Sequence, residues 1–123
     1  MLVGNAAPAF STKAYVKGKV KDINLQDYKD KWVVLFFYAG DFTFVWPTEL
    51  TSIAGSYEEF TKRNTEVLTI SVDSVYAHKV WDEIELSKMV EGGIPFPMLT
   101  DPAGQIGSAY QVYDTQKHVD LRG

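Results

Sequence analysis

Residues 32–38, Trp-Val-Val-Leu-Phe-Phe-Tyr, form an unbroken apolar, β-rich run without polar alternation. A strand buried on both faces of a parallel α/β sheet reads this way. A second such run extends from Val67 to Val72 and is closed by Asp73. Between them Leu50, Ile53, Ala54, Tyr57 and Phe60 recur at helical spacing, which predicts one amphipathic helix from about Pro47 to Arg63. Pro47 suits its first turn, where a missing N–H costs nothing. Strand, helix, strand predicts a right-handed parallel crossover.

Upstream, Gly4 to Phe10 reads as an extended lead-in. Tyr15-Val16 and Val20 to Ile23 flank Lys17-Gly18-Lys19 as a β-hairpin with Gly at its turn. Asn24 to Tyr28 suits a short helical turn. Downstream, a helix is expected from Ala77 to Val90 with Val80, Trp81, Ile84 and Met89 inward, stopped by Gly92-Gly93. Pro95 to Pro97 then leads to a short strand at Met98-Leu99. Asp101-Pro102-Ala103-Gly104 turns into a short helix carrying Ile106, Ala109 and Tyr110, and Val112-Tyr113 and Val119 to Leu121 follow. There is no internal repeat or low-complexity tract, so residues 1–123 are expected to form one α/β domain.

Composition changes this picture in one respect. The 123 residues are 46% hydrophobic and 23% charged, ordinary for a globular chain, and a net charge of −4 gives no electrostatic reason to expect nucleic acid or an anionic membrane as partner. Lys17, Lys19 and Lys21 alternate along the hairpin and read as a solvated strand face. No apolar run approaches the ~20 residues of a membrane span. Residues 1–5 do not resemble a signal peptide, so a soluble, cytoplasmic protein is expected. The decisive count is zero cysteines, which excludes disulfides, thiolate metal sites and cysteine nucleophilic catalysis.

That count matters because of residues 39–49, Ala-Gly-Asp-Phe-Thr-Phe-Val-Trp-Pro-Thr-Glu. The stretch resembles the active-site loop of the typical 2-Cys peroxiredoxins, which includes the peroxidase component of alkyl hydroperoxide reductase. The family pattern is Pro-x-x-x-Thr-x-x-Cys-Pro-Thr-Glu. Ala39 stands at its first Pro, Thr43 at its Thr, and Trp46 at the peroxide-attacking Cys. The resemblance runs from Ala7-Pro8-Ala9-Phe10 through Gly92-Gly93 and Phe96-Pro97 to Leu121-Arg122-Gly123. It implies a thioredoxin-like α/β fold of peroxiredoxin type. In the family an Arg-Gly pair like the last one leads into two more sheet strands, a helix and a tail with the resolving Cys. The chain is therefore expected to lack these elements and to leave a sheet edge unpaired.

The resemblance also implies a chemistry: thiol-dependent reduction of hydrogen peroxide and alkyl hydroperoxides, with no metal or organic cofactor. The reductant would be a thioredoxin-like protein or a flavoprotein disulfide reductase. A thiolate attacking the O–O bond needs a lowered pKa, which a helix N-terminus and a nearby cation supply, and donors that follow the developing charge. Thr43, three residues before Trp46, matches the family's active-site hydroxyl. Arg122 matches its active-site guanidinium, and Glu49 the carboxylate that orients it. Trp46 has one N–H donor and no nucleophilic atom. Peroxidase activity is therefore expected to be absent, and Ala39 gives up the ring constraint of the family's Pro.

Two alternatives stay open. Trp46, with Phe42, Phe44 and Val45, suits a filled pocket or a subunit contact in a non-catalytic interaction module that forms a homo-oligomer. The chain also reads as an engineered or partial form of an active peroxidase. Other constellations point to structure. His78 and His118 have no metal-ligand spacing, and His78 reads as a partly exposed helix residue. Asp82, Glu83 and Glu85 read as a solvated helix face.

Overall fold

The computed structural model of the chain describes residues 4–38, 46–89, 93–117 and 119–120, with the backbone alone at 46–49 and at 89. Five strands form one sheet: β1 (Ser11–Val16), β2 (Lys19–Asn24), β3 (Trp32–Phe37), β4 (Thr65–Ser71) and β5 (Met98–Thr100), in the order β2-β1-β5-β4-β3. β3, β4 and β5 run parallel, and β1 is antiparallel to both β2 and β5. The β1–β2 hairpin turns at Lys17 (φ 45) and Gly18 (φ 86), the pair of left-handed residues that a two-residue hairpin turn requires. The lysines flanking this turn are exposed, as their alternation predicts. A single 3-10 turn, Leu25–Tyr28, follows β2, capped by Asn24, whose side chain accepts from Gln26 N at 3.0 Å.

β4 fulfils the doubly buried reading. Val67 faces one core, with Tyr38, Leu50, Trp81, Phe96 and Met98; Leu68 and Ile70 face a second, with Ala14, Phe37, Leu99 and Ile106. β3 departs from that reading. It pairs with β4 on one side and is an edge strand among the described residues, so Val33 to Phe36 are half-buried and Trp32 is 77% exposed.

The crossover between β3 and β4 is two helices, α1 (Trp46–Gly55) and α2 (Tyr57–Lys62), where one continuous helix was expected. The break lies at Gly55-Ser56, two poor helix formers, with Ser56 at φ −99 and ψ 3. Ile53, Ala54, Tyr57 and Phe60 still pack on the first core, because the break reorients the axis without losing the apolar face.

After β4 comes α3 (Val75–Trp81), starting two residues earlier than expected, because Ser74 caps it by accepting from Ala77 N at 3.1 Å. A π turn, Asp82–Leu86, continues it into α4 (Ser87–Met89). The inward residues are Val75, His78, Trp81, Asp82 and Leu86. Of the expected inward set, Trp81 is buried, whereas Val80 is 41% and Ile84 56% exposed; the Met89 side chain lies outside the described residues. A π turn holds one residue more than an α turn, so the buried stripe slips in phase beyond Asp82 and a 3.6-residue reading misplaces Ile84. Gly93 (φ 79) forms the turn after this helix, and Gly92 lies outside the described residues. Among the described residues no helix is long and apolar enough to cross a membrane.

The short helix α5 (Gln105–Ala109) follows β5, and a small hairpin, β6 (Tyr113–Asp114) with β7 (Val119–Asp120), packs on it. Gly104 (φ 70) and Gly107 form the seat. A Cβ at Gly104 would lie 2.3 Å from the Tyr113 ring, and one at Gly107 2.1 Å from Asp120 Oδ1. Gly55 has open space at the same position. Gly-to-Ala changes in helices usually stabilise, and these two sites should give opposite signs. Gly55→Ala is expected to raise unfolding free energy by up to about 1 kcal/mol, and Gly107→Ala to lower it by about 1–3 kcal/mol. Paired urea titrations check both signs.

Candidate functional site

The resemblance places the site between the end of β3 and the start of α1. Residues 39–45, which include Ala39 and Thr43, lie outside the described residues, as do Arg122 and His118. What the structure places is the two ends of that segment. Tyr38 closes β3 and is fully buried, and Trp46 is the first residue of α1, with Glu49 in the same first turn. Position 46 thus sits at the N-terminus of a helix of 10 residues, where unpaired N–H groups and the macrodipole favour negative charge. The side chains of Trp46 and Glu49 also lie outside the described residues, and so does the mutual placement of the four residues singled out by sequence.

Behind this junction lies a buried polar tie that sequence reading missed. His78, read as partly exposed, is 0% exposed. Its Nε2 lies 2.9 Å from the carbonyl oxygen of Leu99, which can only accept, so Nε2 carries the proton. In the neutral ring Nδ1 then accepts from the Tyr38 hydroxyl at 3.3 Å. The Trp81 ring packs on Tyr38 with centroids 5.9 Å apart, and its indole N–H donates to Glu85 Oε2 at 3.1 Å. The last residue before the 39–45 segment is thereby fixed to α3 and, through Leu99, to β5.

The acidic stretch after Trp81 is likewise not the solvated face that its charges suggest. Glu83 is exposed and Glu85 half-buried, but Asp82 is buried. Asp82 Oδ2 accepts from the Tyr15 hydroxyl and Oδ1 from Ile94 N, both at 3.1 Å. Burial first, and the Asp82 charge second, push the Tyr15 phenol above its ordinary value. Gly93 packs so closely that a Cβ there would lie 3.0 Å from Asp82 Oδ2. Asp82 therefore ties β1, the π turn and the return at 93–94 together. Reading Ser74 as an N-cap could have found both residues, because 75, 78 and 82 then fall on one helix face. Among the described residues no cluster of three or more His, Asp or Glu is placed to hold a metal. Two open grooves along β3, one of about 360 Å³ lined by Val33, Leu35, Phe37 and Tyr110, include no residue of α1 or α3.

The sheet order, the split crossover helix and the helix start at position 46 define a thioredoxin-like α/β protein. The sequence profile of the AhpC/TSA family matches residues 3–123. The chain is 54% identical over 121 residues to a protein named "Selenocysteine-containing peroxiredoxin PrxU" from Peptoclostridium acidaminophilum, covering 98% of this chain and 60% of that one. It is 40% identical to a thioredoxin peroxidase of Echinococcus granulosus, covering 99% of this chain and 63% of that one. The crystal structure of reduced Plasmodium vivax 2-Cys peroxiredoxin superposes with a TM-score of 0.91 at 35% identity, over 99% of this chain and 76% of that one. The chain belongs to the AhpC/TSA family, and its fold is that of the peroxiredoxins. It spans about three fifths of the length of these curated relatives.

The Tyr38–His78–Leu99 tie generates a specific expectation. His78→Phe keeps a ring but leaves the Leu99 carbonyl and the Tyr38 hydroxyl without that partner, and should lower stability by about 2–4 kcal/mol. Tyr38→Phe in the same background should cost about 1 kcal/mol less than in the parent, because the shared bond is already lost. Additive losses in a urea double-mutant cycle would show that the two side chains are not coupled.

Proposed function

We propose that this chain is a peroxiredoxin-family domain that retains the frame of a peroxide site but, with tryptophan at position 46, does not act as a thiol peroxidase. One observation supports the reading: the residue at the head of α1 is an indole, in a chain with no cysteine. A helix N-terminus lowers the pKa of a thiol and favours its thiolate, but indole has no proton of that kind to lose and no lone pair suited to attack the O–O bond. In this reading Thr43 supplies the hydroxyl that accompanies the reacting oxygens, Arg122 the cation, and Glu49 the carboxylate that orients it. Hydrogen peroxide and alkyl hydroperoxides, with a thioredoxin-like or flavoprotein disulfide reductase as electron source, are the substrates of the ancestral site. The setting is the cytoplasm, and residues 1–123 act as one domain. Consumption of hydrogen peroxide or cumene hydroperoxide with dithiothreitol should not exceed the buffer rate. Trp46→Cys should then produce a thiol that reacts with peroxide at least ten times faster than free cysteine. Saturable turnover by the parent chain would remove the proposal.

The name of the relative at 54% identity favours a second reading. Selenocysteine is inserted at UGA, one base from the tryptophan codon UGG and itself translated as tryptophan in some genetic codes. In this reading position 46 in the cell carries a selenol. A selenol is more acidic than a thiol and its selenolate more nucleophilic, so the head of α1 would hold a competent peroxidase nucleophile in a chain without cysteine. The codon for residue 46, together with the intact mass of the protein from its native host, decides between the two. UGA with a selenium isotope envelope supports the selenol; UGG with the mass of tryptophan eliminates it.

A further inference from the structure

We propose that Asp120 is a proton-dependent latch: its neutral carboxyl holds the β6–β7 hairpin against α5, and its ionisation as pH rises releases the hairpin. Asp120 is 1% exposed, and among the described residues neither of its carboxyl oxygens has a hydrogen-bond partner. A carboxylate left in that state is strongly disfavoured, whereas a carboxyl group is far less so. The packing admits little else. Asp120 Oδ1 lies 2.1 Å from where a Gly107 Cβ would stand, in direct contact with the α5 backbone. On the far side of that contact Asp101 is also buried, but its oxygens are engaged, Oδ1 accepting from Ile106 N at 3.1 Å and Oδ2 from Gly107 N at 2.8 Å. Two acidic groups thus meet at one glycine, and only Asp101 is compensated.

Among the described residues the groups facing Asp120 are Asp101, from the turn before α5, and Tyr113, its cross-strand partner in β6. The α5 sequence Gln-Ile-Gly-Ser-Ala brings no titratable side chain. Burial first, and the Asp101 charge second, push the Asp120 carboxyl up to about 7. The folded-state value lies above that of the unfolded chain. Stability from this group is therefore complete below the ordinary carboxylate range, declines as pH rises from there, and is fully lost once pH passes about 7. The hairpin is the element that responds, because its strands are two residues each and such a ribbon has little stability of its own. Inside its turn Asp114 adds support, accepting from Gln116 N at 2.9 Å and Lys117 N at 3.1 Å. The closest contacts of the hairpin with α5 are the Tyr113 ring over Gly104 and Asp120 over Gly107.

Hydrogen exchange of the hairpin amides in the full chain, compared with Asp120→Asn at the same pH from about 3.5 to 8, tests the latch. The two proteins should exchange alike at the acid end. Between the ordinary carboxylate range and about pH 7 the parent-to-variant ratio should rise by up to about tenfold per pH unit, and it should level off above about 7. Parallel exchange across the whole range would overturn the proposal. If Asp120→Asn does not fold, the ¹³C carboxyl shift of Asp120 in the parent supplies the answer. A midpoint near neutrality supports the latch, and one below about pH 5 overturns it.

Discussion

The two-sided burial of β4 is the constraint on which the rest of the structure depends. Val67, Leu68 and Ile70 are wholly excluded from solvent, and their alternation assigns each neighbouring element to one core or the other. α1, α2 and α3 cover the Val67 face, while α5 and the lead-in at Phe10 cover the Leu68 face. Because β4 is parallel to both β3 and β5, the carboxyl ends of all three strands emerge on the same side of the sheet. In open α/β sheets that side is where sites are built. Here it is where β3 passes through Tyr38 into the segment before α1.

Much of this frame can be read along the chain, and the parts that cannot share one physical cause. Strand β4, the Lys17-Gly18 hairpin and the Asn24 cap are local patterns, set by residues within a few positions of each other. Position 46 was legible in the same way, because a motif of eleven consecutive residues fixes its place and Pro47 marks a helix start. The partners of His78 and Asp82 are not local. Leu99 lies 21 residues from His78, and Tyr15 lies 67 from Asp82. A histidine or aspartate on a helix carries no mark of whether such a partner exists, and only a helix phase counted from the Ser74 cap puts both on the inward face. Asp120 was illegible for the opposite reason, since among the described residues its carboxyl oxygens have no hydrogen-bond partner.

The site has an uneven composition. Its frame rests on backbone and on deep packing: a helix N-terminus, a buried tyrosine held by histidine, and a parallel strand pair. None of these depends on which residue occupies position 46. In the proposed reading the attacking atom would come from that residue, with Thr43, Glu49 and Arg122 disposed around the reacting oxygens. A fold of this kind can therefore keep its geometry while its reactivity is changed by one side chain.

The pairing of β1 carries a consequence for synthesis. Its first neighbour, β2, is joined to it by a two-residue turn, but its second, β5, arrives only at Met98 and Leu99. During translation the β1–β2 ribbon can close while almost the whole sheet is still unmade. Ala14 and Tyr15 would then wait, uncovered, for a strand encoded near the far end of the chain. Long-range pairing of that sort slows folding and prolongs the exposure of sticky edges. The nascent chain's most exposed moment thus falls between the emergence of β2 and that of β5.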